Sequence, residues 1–133
     1  MYRLIFLIIT LPFANVSDAR GEWTKLNDNA LYTLYVDFST VHFDGDYSYG
    51  MFLYDLKRQI GSFASFTNYF RIDCDLERQS SIFGFAYSER MAKGIERVIP
   101  HDNKPDWTYA QSVDDSRRQI VEVGCKVMPQ RRS

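Results

Sequence analysis

Two cysteines, Cys74 and Cys125, and two histidines, His42 and His101, are the side chains of this 133-residue chain best suited to covalent or metal chemistry. Two cysteines without a nearby histidine pair make a poor zinc set, and a catalytic thiol needs a base beside it. His42 is followed by Phe43 and Asp44, and His101 by Asp102. Adjacent residues of a strand point to opposite faces, so His101 and Asp102 form no dyad through sequence proximity alone, and both histidines sit in or near turns. Asp73, Asp75 and Glu77 surround Cys74, but acids spaced along a strand do not wrap a cation as a calcium loop does. No catalytic residue, metal set or cofactor site is assigned on these grounds, and a non-enzymatic protein is expected.

The beginning of the chain bears on the compartment in which those cysteines work. Arg3 precedes an apolar run, Leu4–Ala14, that is shorter than the ~20 residues of a membrane-spanning helix. Ser17-Asp18-Ala19 then offers a small-residue cleavage site. This three-part pattern predicts a signal peptide over residues 1–19 and an exported single domain over residues 20–133, with no transmembrane segment. Cleavage removes Arg3 and Asp18 together, so the net charge stays at −1. Such a balance gives no global attraction to nucleic acid or to anionic lipid. In an oxidising compartment an even cysteine count is more often a disulfide than a metal site or a nucleophile, with two buried free thiols as the other alternative.

The elements that would position these residues are mostly strands. Aromatic residues make up 16% of the chain, a content that favours β structure. Phe66, Asn68, Phe70, Ile72, Cys74 and Leu76 alternate with Thr67, Tyr69, Arg71, Asp73 and Asp75. That period of two predicts a half-buried strand with Cys74 facing the core and the acids on the solvated face. Asp44-Gly45 signals a turn between two strand-like runs, and "SIFGFAYSE" and "GIERVIP" read as further strands. Near the end, Ser112 has the character of a helix N-cap with Asp115 three residues on. Val113, Ile120, Val121, Gly124, Cys125 and Met128 then fall on one helical face, and Pro129 closes the pattern. A strand from Gln119 to Val127 is the competing reading, because the apolar residues are β-branched. The expected class is α+β: an antiparallel sheet of five or six strands with a C-terminal helix on one face, tied to it by a disulfide.

The order of segments resembles the surface-adhesin protein E family of Gram-negative bacteria. An early "EWTKL" is followed by "YTLYVDFSTV", "MFLYDLK", "FTNYFRIDCDLERQSSI", "YSERMAKG", "DWTYAQ" and a last segment bearing Cys125. The resemblance implies a disulfide between Cys74 and Cys125. It also implies a protein partner from the host matrix or plasma, and the capacity to form a homodimer. The family's best-known members are lipoproteins, whereas this sequence has no cysteine near Ala19 to carry a lipid. A soluble periplasmic accessory or inhibitor protein is therefore the alternative to an adhesin.

Two groups of residues are candidates for contact with a partner. Arg90, Lys93, Arg97 and Lys104 lie within "ERMAKGIERVIPHDNK" and offer positive charge to an anionic surface. The same lysines and arginines also suit an ordinary edge strand, where charge discourages unwanted pairing. The tyrosines between Tyr47 and Tyr54 are the second group, since tyrosine is enriched where proteins bind proteins.

Overall fold

The computed structural model describes residues 22–102, 104–109 and 116–126. The expected signal peptide, the Ser112 cap, Val113, Met128 and Pro129 lie outside the described residues. Six strands follow one another across the sheet in chain order: β1 (Thr24–Asp28), β2 (Tyr32–Asp44), β3 (Tyr47–Ile60), β4 (Phe63–Asp73), β5 (Arg78–Glu89) and β6 (Lys93–Ile99). All neighbours are antiparallel. A two-residue β7 (Thr108–Tyr109) pairs with the start of β5, beside Arg78 and Gln79. Helix α1 (Ser116–Lys126) completes the α+β architecture.

The Asp44-Gly45 signal marks the β2–β3 hairpin, and Gly45 adopts the left-handed φ of 67° that such a turn requires. Register fixes the two faces of the sheet. Val36, Phe52 and Asn68 stand opposite one another on the helix side, as do Leu34, Tyr54, Phe66 and Ala86. Tyr35, Leu53, Thr67 and Phe85 form a matching row on the other side.

Each face has its own core. Ile120 and Val121 of α1 meet Leu34, Val36, Val41, Phe52, Phe70 and Ile72 in the larger cluster. Ser116, Ile120, Val121 and Gly124 are the buried helix positions, a helical spacing that excludes the competing strand. The Cys74–Cys125 disulfide ties this helix to the end of β4, with the two Cα atoms 5.8 Å apart. On the other face Leu53, Tyr87 and Ala92 form a smaller cluster, against which Trp23, Tyr35, Phe85 and Met91 pack.

The strand bearing Cys74 departs from the alternation in one respect. It ends at Asp73, and Asp73 is buried rather than solvated. Its Oδ1 accepts hydrogen bonds from the backbone N–H groups of Asp75 and Leu76, and its Oδ2 accepts one from Arg78 Nε at 2.9 Å. The acid closes the turn into β5, a local role that makes extended structure end here. Leu76, expected on the apolar face, is 55% exposed in that turn. Cys74 still packs against the larger core.

Candidate functional site

The four basic candidates do not converge on one patch. Arg90 places Nη2 2.6 Å from Asp55 Oδ2, while the backbone N–H of Met91 donates to Asp55 Oδ1 at 2.9 Å. Asp55 is 2% exposed, so it anchors the turn in which Met91 and Ala92 both adopt positive φ. Lys93 stands opposite Glu89, and Arg97 stands opposite Ala86. Those partners lie on opposite faces of β5, so Lys93 and Arg97 point to opposite sides of the edge strand. Lys104 is exposed in the segment after β6 and borders a cleft with Arg71 and Asp102.

The histidines make local contacts. His42 Nδ1 lies 2.8 Å from the carbonyl of Thr40, and its ring stacks on Tyr49. His101 Nδ1 lies 2.9 Å from the carbonyl of Ile99, and its Nε2 lies 2.8 Å from Ser81 Oγ. The Ser81 hydroxyl also donates to Asn68 Oδ1 at 3.2 Å. Among the described residues no cluster of three His, Cys, Asp or Glu side chains is placed to hold a metal ion.

The tyrosine group divides between the two faces. Tyr54 lies on the helix side, edge-on to Tyr32. Tyr49 belongs to a row on the opposite face that runs His42, Tyr49, Tyr69, Phe83 across four strands. Centroid separations along it are 5.5, 6.0 and 4.9 Å, and the ring planes are nearly parallel. The Arg71 guanidinium sits 5.5 Å from the Tyr47 ring and 5.9 Å from the Tyr49 ring, positions from which the ring faces attract it. Burial, followed by the neighbouring Tyr49 and Asp44, raises the pKa of the Tyr69 phenol above its ordinary value.

Beside this row lies a cleft of about 310 Å³. Strands β2 to β6 all contribute to it, together with Trp23 from the segment before β1. Five neighbouring strands of a flat sheet spread over roughly 19 Å, so the sheet must curl around this face. Interruptions of register at Asp37/His42 in β2 and at Ile82 in β5, opposite Tyr69 and Phe70, are the sort of bulge that sharpens such curvature. The first bulge is held by Thr40, whose Oγ1 donates to the carbonyl of Asp37 at 2.6 Å and accepts from the N–H of Met51 at 2.8 Å. Sequence reasoning missed this cleft. The one signal available was the apolar character of both faces of β3, where Phe52 and Leu53 are each fully buried.

A curled antiparallel meander with one helix bridged onto its outer face defines the class, a small sheet-and-helix module. Residues 23–126 match the family model of surface-adhesin protein E, and the chain belongs to that family. The fold is similar to the structure of Haemophilus influenzae protein E, with a TM-score of 0.58 at 14% identity over 78% of this chain and 93% of that one. Crystal form II of the same protein gives a TM-score of 0.57 at 14% identity, over 77% and 96% of the two chains. Protein E from non-typeable Haemophilus influenzae gives 0.52 at 14% identity, over 74% and 82%. No curated protein sequence matches the chain.

Proposed function

We propose that this chain is an exported, non-enzymatic surface adhesin that binds host extracellular-matrix or plasma proteins. The observation that carries this reading is the surface-adhesin protein E match across residues 23–126. In this reading cleavage follows Ala19, and residues 20–133 act as one adhesin E-like domain. Arg90, Lys93, Arg97 and Lys104 contribute charge at the β6 edge, where such groups speed encounter more than they tighten a complex. Arg90 does so while its guanidinium stays with Asp55. A homodimer belongs to the same proposal, and light scattering of the exported protein reads it.

Proteinase treatment of intact cells, with a periplasmic protein as control, is the first test. Digestion on intact cells supports the adhesin. Protection until the outer membrane is opened overturns it in favour of a periplasmic partner protein. Capture of the chain on immobilised matrix and plasma proteins then tests the contact. Charge reversal at Lys93 and Arg97 is expected to slow association, and an unchanged rate would remove those two residues from the interface.

A further inference from the structure

We propose that Arg71 binds the carboxylate of an aspartate or glutamate side chain presented by a protein partner at the cleft beside it. Arg71 is unlike the other arginines of the fold. Arg78, Arg90 and Arg118 each have a carboxylate within ion-pair distance. Arg58 and Arg97 make no ion pair, but both are exposed and water serves their donors. Arg71 is half-buried in β4, yet it makes neither an ion pair nor a hydrogen bond. Its Nε–H is buried without a partner, and its terminal nitrogens, also without partners, are not fully buried. Shielding a charge from water without pairing it is costly, and such a group in a native fold calls for an explanation.

Tyr47 and Tyr49 hold the guanidinium from 5.5 and 5.9 Å. Such contacts act on the charge through the ring faces and consume none of the N–H donors. The planar fork is therefore steadied while its terminal donors stay unspent, and that fork matches a carboxylate through paired N–H···O bonds. Arg71 borders a cleft of about 140 Å³ together with Ser80, Ser81, Ile82, Asp102 and Lys104. Ser80 stands directly opposite Arg71 in the register, and its hydroxyl already accepts from the Asp106 N–H at 3.0 Å. Lys104 is exposed and makes no ion pair, so it adds a second cation. Asp102 is the one acid lining the cleft among the described residues, which leaves an excess of one positive charge. Small-molecule pockets start at about 300 Å³, so this cleft suits one carboxylate on a short stem rather than a sugar ring.

The assignment of the carboxylate to a protein rests on the proposed function, whereas the site itself is testable with small molecules. The experiment is an NMR titration of the exported, oxidised chain at low ionic strength. The probes are Nα-acetyl-glutamate amide, the neutral Nα-acetyl-glutamine amide and a methyl glucoside 6-sulfate. The glutamate probe should saturably shift the Arg71 Nε–H and the amides of Ser80 and Ile82, and added salt should weaken it. The glutamine probe has nearly the same shape without the charge, and should bind about tenfold more weakly or worse.

Arg71→Lys keeps the charge but loses the fork, and should weaken the glutamate probe about tenfold. Lys104→Gln should weaken it by a few-fold, because that ammonium is exposed. Asp102→Asn should tighten it about twofold by removing the one acid, a gain that no loss of folding can imitate. The proposal is overturned by the absence of saturable shifts with the glutamate probe or by an equal response to the glutamine probe. It is overturned as well if Arg71→Lys and Asp102→Asn both bind as the parent does. Saturation by the sulfated sugar alone overturns the protein carboxylate as the ligand. Carboxylate binding without capture of any host protein would sink the proposed function and leave the site standing.

Discussion

The hydroxyl of Ser48 in β3 donates a 2.7 Å hydrogen bond to the carbonyl of Gly124 in α1, at a helix position with no side chain. A Cβ on Gly124 would lie 2.3 Å from Ile72 Cδ1, and Ile72 is fully buried. At this position the helix therefore meets the sheet through bare backbone. Overpacking of this kind costs roughly 1–3 kcal/mol, against about 1 kcal/mol gained from replacing a helical glycine by alanine. Gly124→Ala should consequently lose about 1 kcal/mol in a denaturant melt, and a more stable variant would show that the helix can lift away freely.

Removal of the Cys74–Cys125 bridge should be more costly. The cysteines are 51 residues apart in sequence, and closing a loop of that length stabilises by roughly 4 kcal/mol in the chain-entropy model. A Cys74→Ser, Cys125→Ser double variant should unfold at much lower denaturant concentration. Intact mass before and after reduction checks the bond itself, and an unchanged mass would reject it.

Asp55 and Arg90 are in contact but should respond unequally. Asp55→Ala orphans the Met91 N–H and releases a turn with two positive-φ residues, an expected loss of roughly 2–4 kcal/mol. Arg90→Ala removes a side chain that is 62% exposed and should cost about 1 kcal/mol or less. Thermal melts of the two variants decide the matter; equal losses would make the ion pair, rather than the turn, the source of stability.

At the other end of the sheet, Lys57 Nζ lies 2.6 Å from Asp28 Oδ1 and Lys25 Nζ lies 3.6 Å from Oδ2. The Lys57 hydrogen bond is the largest cause holding the Asp28 carboxyl below its ordinary value of 3.8. A lowered folded value means that the stabilisation is fully present above 3.8 and is lost as pH falls through the folded pKa. Lys57→Ala should return the Asp28 titration toward 3.8. NMR titration of the carboxyl carbon measures this, and an unmoved midpoint would assign the shift elsewhere.

What could be read from the sequence followed from local rules. Asp44-Gly45 announces its hairpin because only a few residues accept that turn. Ile120, Val121 and Gly124 announce a helix because their spacing repeats on one face. Asp73 shows where such rules fail. Alternation places it in solvent, but its carboxylate is buried under three donors from the turn that follows. The spread of the basic quartet over both sides of the edge was hidden for a similar reason. A register slip in β6 turns Lys93 and Arg97 to opposite faces, and neighbourhood in sequence cannot reveal it. The cleft was hidden more deeply, since it exists only once five strands have curled together.

The bridge also has a consequence for damage. Cys74 and Cys125 enclose β5, β6 and β7 in a covalent ring, whereas β1 to β4 lie outside it. A protease that cuts once within the ring, for example near the exposed Lys104, leaves two pieces still joined through sulfur. The nicked protein keeps its mass, apart from the water added, and its edge strand stays attached by one end. Only reduction would let the fragments part.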